Sequence, residues 1–246
     1  AGMERLHDGA IGDLLSGQST RIGGALSNWR QSEAIRSNSW SDMEWQLRRW
    51  LFTTWASGDF ITEQHVHNLD LVDWLMGGHP IKAIGSGGRQ NRTDSIYPNV
   101  WDHISVEYEY ANGARVTHIG SQIDGVSSRN DLRVDGTEGR LFLSFAKVSI
   151  EGKNPFKYDG PHVNPAVQEY KDTLDAIRSG NTINEGKRIA QSTMTAILGR
   201  MAAYTGRNIS WDWAMNASKL DLTPKDWSWH DYPLAPVAVP GKTKLI

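Results

Sequence analysis

The sequence has no cysteine. That excludes disulfides, thiolate zinc centres and a cysteine nucleophile, and it leaves the redox compartment unmarked. No apolar run approaches the ~20 residues of a membrane span, and the opening AGMERLHDGA lacks the apolar core of a secretory signal. The expectation is a soluble chain whose compartment, cytoplasmic or periplasmic, stays open. There is no basic tract either: 26 Lys+Arg against 28 Asp+Glu leave a formal charge of −2. This argues against nucleic acid or a membrane surface as partner and favours a small neutral molecule. A dinucleotide-binding glycine turn is also missing, because Gly85-Ser-Gly-Gly88 has the wrong spacing and does not open a helix.

What the sequence has in excess is tryptophan, 11 in 246 residues. Indole faces stack well on the C–H faces of sugar rings, so a carbohydrate ligand is one reading, and filling of core and interfaces is the other. Trp40, Trp45, Trp50 and Trp55 recur every five residues, and in a helix that step turns about 140°, so they cannot form one core stripe. Arg48 and Arg49 lie between them and could meet hydroxyls or a carboxylate. This segment is expected to be a substrate loop bordering the active site, with an oligomer contact as the alternative.

The patterning reads as strands followed by helices. A short helix over 4–7 leads into a strand over 12–22 and a loop over 23–39. Ile81–Ser86, Ile104–Tyr110, Ala114–Ile119, Leu132–Asp135, Arg140–Ser144 and Lys147–Glu151 read as strands, with hairpin turns at Asn112-Gly113 and Gly136–Gly139. Asn164-Pro165 caps a helix striped by Val167, Tyr170, Leu174 and Ile177 and stopped by Gly180; a second helix runs over 185–205. With no βαβ alternation the fold class is α+β: a large, mostly antiparallel open sheet backed by helices. The two helices are expected to cover one face of the sheet and the other face to make subunit contacts. The whole chain, 1–246, is read as one substrate-binding and oligomerisation unit, whose segment 207–246 is an extended wrapping tail.

The stretch SGDFITEQHVHNLDLVDWL, residues 57–75, concentrates two histidines and four carboxylates. As one helix turning about 100° per residue, it places Glu63, His67, Asp70 and Trp74 on one stripe and His65 among the apolar residues opposite. His65 then reads as a core histidine with a satisfied hydrogen bond. His67 reads as a general acid/base oriented by Glu63, at a shallow pocket to which Trp74 contributes. A metal site would need His65 and His67 on one side, as in a strand, together with a remote ligand among His79, His103, His118, His162 and His230, none of which announces itself. No metal is expected.

At these residues the chain resembles the C-terminal domain of the glucose-fructose oxidoreductase, inositol dehydrogenase and MocA family. That family carries Asp-x-x-x-His followed by x-x-Asp; here Glu63-Gln-His-Val-His67-Asn-Leu-Asp70 follows Gly58-Asp59, with Glu in place of the first Asp. The resemblance continues through Trp74–Gly77, the entry at Pro80, Asn112-Gly113, Gly136–Leu141, the helix from Glu185 to Tyr204, and Trp211. It implies a dihydrodipicolinate-reductase-like open-sheet fold and an NAD(P)-dependent oxidoreductase acting on a sugar, sugar derivative or cyclitol. It further implies His67 as general base with Glu63 and Asp70 beside it, and oligomers formed through the sheet. The family's N-terminal Rossmann domain and its Glu-Lys-Pro segment have no counterpart in this sequence. Accordingly NAD or NADP is expected for the complete enzyme and no cofactor on this chain alone. Two alternatives stay open: a cofactor-free lyase, hydratase or epimerase using the same histidine, and a carbohydrate-binding or assembly module without turnover.

Overall fold

The computed structural model describes residues 1–26, 35–145, 147–161 and 163–246. Residues 27–34 of the loop read over 23–39, and His162, lie outside the described residues. Nine strands form one sheet: β1 (Leu14–Gly23), β2 (Lys82–Gly88), β3 (His103–Glu109), β4 (Arg115–Gln122), β5 (Arg129–Gly136), β6 (Gly139–Ser144), β7 (Val148–Gly152), β8 (Phe156–Lys157) and β9 (Ile209–Ser210). Their order is β8-β7-β6-β5-β1-β4-β3-β2-β9. All neighbours are antiparallel except β1 and β4. The fold is the α+β open sheet that the patterning implies.

Period-two alternation puts Val106, Tyr108, Val116, His118, Leu132, Val134, Leu141 and Ile150 on one buried face. Against it pack α1 (Gly2–His7), α5 (Val66–Met76) and α7 (Gly186–Thr205). The other face is polar. Register aligns Lys82, Glu109, Arg115, Ser16, Asp135, Arg140 and Glu151 in one cross-strand row. Within the row Lys82 pairs with Glu109 at 3.1 Å, Arg115 with Glu109 at 3.3 Å, and Arg140 with Asp135. Subunit contact was expected there on the ground that a bare sheet exposes apolar surface; the alternating charges remove that ground.

Only one of the two C-terminal helices covers the sheet. α6 (Pro165–Ser179) forms as its cap predicts, with the Asn164 side chain accepting from Ala166 N at 2.9 Å, but it buries none of its residues. Its stripe of Val167, Tyr170, Leu174 and Ile177 faces outward. Local periodicity specifies the helix, and nothing local specifies the surface that a stripe meets.

The stretch read as one helix over 57–75 is three: α3 (Thr54–Ser57), α4 (Phe60–Glu63) and α5. Gly58 closes α3 in the left-handed region, and Asp59 follows at φ 68°, ψ 165°, a region all but reserved for glycine. Between α4 and α5 the His65 amide bonds back to Phe60 O, five residues away, instead of to Ile61. Upstream lie α2 (Asp42–Arg48), capped by Ser41, and a 3₁₀ turn over Trp50–Phe52. The tail is not wholly irregular, since it begins with β9 and α8 (Trp211–Asn216). Beyond these it has no further helix or strand and is held by Asn99 donating to Ala235 O at 3.1 Å and Trp101 Nε1 to Ala238 O at 3.0 Å.

Candidate functional site

His67 stands in the first turn of α5 with its side chain exposed, while His65, at the break before that helix, is fully buried. The opposed environments assigned to the two rings therefore hold although the helix is broken. Below them runs a buried chain: Ser19 on β1 to His118 Nδ1 at 3.0 Å, and His118 Nε2 to His65 Nδ1 at 3.0 Å. Burial pushes both imidazoles down, His118 to about 3, and His118 adds to the effect on His65. Gly120 makes the chain possible, since a Cβ there would stand 2.4 Å from His65 Nδ1.

Beside His67 is Glu63, half-buried at the end of α4. Burial raises its carboxyl, and His67 and Arg21 counteract that. Arg21 reaches up from β1 and donates to Asn68 Oδ1 at 3.1 Å; Asn68 in turn donates to Asn130 on β5 at 2.9 Å. His67, Arg21, Asn68, Asn130 and Asp131 line one shallow pocket of about 110 Å³. A carboxylate, an imidazole open to solvent and a guanidinium are thus gathered from a helix end, a second helix and a strand. The set can exchange a proton with a hydroxyl and orient a polar ligand. Its volume is well below the roughly 300 Å³ at which ligand pockets begin.

Other expected residues lie elsewhere. The Asp70 carboxylate turns away from His67, taking Arg188 at 2.6 Å and Ser192 at 2.5 Å, and so ties α5 to α7. Trp74 is half exposed, and its carbonyl accepts from His7 Nε2 at 3.0 Å, toward α1. None of the Trp40–Trp55 indoles lines the His67 pocket. Trp40 and Trp45 stack at 6.4 Å with Arg48 over Trp40, and Trp50 packs on a small second core of Leu51, Phe52, Tyr97 and Val100. Arg49 is buried and donates to Ile96 O. Trp55 donates to Gln46 and lines a different cleft, against α7 and the tail. The five-residue spacing does keep these indoles off one stripe; Trp40 stacks on Trp45, Trp50 packs on the small second core, and Trp55 packs on Trp227 and Tyr232 of the tail. Sequence reasoning missed Arg21, Asn68 and Asn130. An arginine on the buried side of a strand is their one signal, and it becomes readable only once the strand's facing is known.

No three His, Asp or Glu side chains among the described residues are grouped to hold a metal ion. Nor does Gly85–Gly88 form a dinucleotide-binding turn. Gly85–Gly88 runs within β2, where a Cβ on Gly85 would stand 2.9 Å from Ser105 O and one on Gly87 2.4 Å from His103 O, so these glycines serve close sheet packing. Their amides face no open helix N-terminus that could take a pyrophosphate. No helix among the described residues is long and apolar enough to cross a membrane.

An open α+β sheet with a histidine-and-carboxylate half-site on its helical side defines a class of ligand-handling domains. Within that class, residues 3–142 match the family model described as the GFO/IDH/MocA C-terminal domain, and the chain belongs to that family. Solved structures share the fold. An aldose-aldose oxidoreductase from Caulobacter crescentus, complexed with glycerol, superposes with a TM-score of 0.64 at 15% identity, covering 85% of this chain and 59% of that one. A UDP-N-acetylglucosamine 3-dehydrogenase from Acidithiobacillus ferrooxidans gives 0.60 at 15%, covering 82% and 57%. A levoglucosan dehydrogenase, in complex with NADH and levoglucosan, gives 0.62 at 15%, covering 85% and 61%. The chain thus spans about three-fifths of the length of these structures. No curated protein sequence matches it.

Proposed function

We propose that this chain is the substrate-binding and proton-transfer part of an NAD(P)-dependent oxidoreductase acting on a hydroxyl of a sugar, sugar derivative or cyclitol. The observation that carries the proposal is the exposed His67 lining a small pocket with Arg21, while the half-buried Glu63 interacts with both. His67 takes the hydroxyl proton, Glu63 stabilises the imidazolium that results, and Arg21 with Asn68 and Asn130 holds the ligand's remaining oxygens. Asp70 acts at one remove, fixing α5 against α7 through Arg188 and Ser192. In this reading a further domain, of the kind the family resemblance implies, holds the dinucleotide and completes the cleft over His67. Membership of the family supports this division of labour. A homo-oligomer through the open sheet face is part of the same proposal.

In a protein carrying both domains, His67→Ala is expected to lower turnover by roughly 100-fold or more with dinucleotide affinity nearly unchanged, as loss of a general base does. Steady-state kinetics with the dinucleotide binding constant measured in parallel decides it, and a fully active His67→Ala enzyme removes the assignment. If the chain alone converts a sugar with no dinucleotide present, the lyase or epimerase reading replaces this one.

A further inference from the structure

A cleft apart from the one at His67 is several times larger than it. It has a volume of about 520 Å³, in the range of small-molecule sites. It opens between the C-terminal half of α7, the Thr54-Trp55 turn and the tail, and its walls are mostly apolar, with Met201, Leu220, Val237 and Val239 among them. The polar side chains of its walls are largely spoken for. Asn99 accepts from Thr54 N at 2.8 Å and donates to Ala235 O; Thr205 donates to Met201 O at 2.7 Å; Tyr204 donates to Asp59.

Arg200 is the exception. It lines this cleft with only 6% of its surface exposed, and its guanidinium makes no hydrogen bond or ion pair among the described residues. Its nitrogens are not among the fully buried, unpartnered polar atoms, so what exposure Arg200 keeps includes its N–H donors, which meet no acceptor of the protein. Tyr204 and Asp59 act on Arg200 only at longer range, and Asp59 has no oxygen to spare. One of its oxygens takes Phe60 N at 2.6 Å, and the other takes Trp101 N at 2.9 Å and the Tyr204 hydroxyl. The C-terminal Ile246 borders the cleft without forming an ion pair with Arg200, and Lys242 and Lys244 stand exposed at its rim.

We propose that this cleft is a binding site for a small organic monocarboxylate with an apolar body, whose carboxylate is received by Arg200. A guanidinium takes a carboxylate through two parallel N–H donors, and the apolar walls take the rest of the molecule. A sugar would leave its hydroxyls unpaired against those walls. A phosphate would meet one fixed cation and no helix N-terminus. The cleft shares no lining residue with the His67 pocket, so the ligand is not the proposed substrate. Trp55 on the cleft wall provides the signal.

The test titrates the chain with octanoate and with 1-octanol, followed by indole fluorescence and calorimetry. Octanoate is expected to bind saturably and at least about tenfold more tightly than the alcohol of the same length. Arg200→Gln is expected to erase that preference by weakening octanoate at least about tenfold. Should Arg200→Gln fail to fold, Val237→Trp, which fills the cleft from the tail, is expected to abolish octanoate binding. No saturable octanoate binding overturns the proposal, and so does equal affinity for acid and alcohol. Unchanged octanoate affinity in Arg200→Gln, or in Val237→Trp, overturns it as well. None of these readouts depends on oxidoreductase activity, so the proposed function can fail without affecting the result.

Discussion

His65 and His67 are two residues apart and face opposite media. For His67 the consequence is chemical; for His65 it is thermodynamic. In the folded chain His65 and His118 stay neutral, His118 titrating only near about 3, whereas an unfolded histidine takes a proton near 6.5. Below about pH 6.5 the unfolded chain therefore binds protons that the folded chain refuses, and stability falls as pH falls. Asp73 opposes this. Buried, and accepting from Thr195 at 2.6 Å and Tyr110 at 2.9 Å, it is pushed up to about 7. From about 7 down to its unfolded value it binds a proton only in the folded state, and it adds stability as pH falls. The measured slope is the difference between these opposing effects. His65→Gln is thus expected to flatten unfolding free energy against pH by about 1.4 kcal/mol per pH unit below pH 6. Urea denaturation at a series of pH values reads it, and a slope identical to wild type refutes the buried neutral pair.

At the scale of elements, Asp59 decides how the helices of the site are joined. Its backbone lies where a side chain is strained, yet its carboxylate caps α4 at Phe60 N and holds Trp101 N and Tyr204. Strain at such a position costs of order 1–3 kcal/mol, and the buried partners left unsatisfied by its removal cost a similar amount. Asp59→Gly loses the bonds and relieves the strain; Asp59→Ala loses the bonds and keeps the strain. Both are expected to be less stable than wild type, the alanine variant by about 1–2 kcal/mol more than the glycine variant. Chemical denaturation with an unchanged m-value measures this, and an alanine variant as stable as the glycine variant would show that the strain is not real. His67 and Asp70 both lie within α5, so the offset between α4 and α5 leaves their relative phase as projected; a projection could not show which partner the Asp70 carboxylate would take. Asp70 answers to Arg188 and Ser192 on α7, 118 and 122 residues away.

For the whole molecule, the open face of the sheet is the largest surface whose use is unassigned. Its charges alternate along a cross-strand row, so association through it would rest on charge complementarity more than on apolar burial. Self-association is accordingly expected at micromolar concentration near ~0.05 M salt and is expected to weaken markedly near ~0.5 M, where the screening length falls to a few ångströms. Sedimentation velocity at the two salt concentrations distinguishes the cases. A monodisperse monomer in both removes the oligomer from the proposal, and association strengthened by salt points to the outward stripe of α6 instead.

By itself the sequence determined what is encoded within a window of a few residues. The alternation of β3, the Asn112-Gly113 turn, the Asn164-Pro165 cap and the burial of His65 against the exposure of His67 are all set by local sterics and periodicity. The family motif lies in one such window, so the family and the proposed base were both readable there. Tertiary structure alone decided what depends on partners far along the chain. It inserted β1 between β5 and β4, put Arg21 beside Glu63, sent Asp70 to α7, packed the Trp40–Trp55 segment within itself and against the tail, and left Arg200 at an apolar cleft without an acceptor. The reason is physical: a side chain's period says which way it points, whereas what it meets there is fixed only when segments a hundred residues apart pack together.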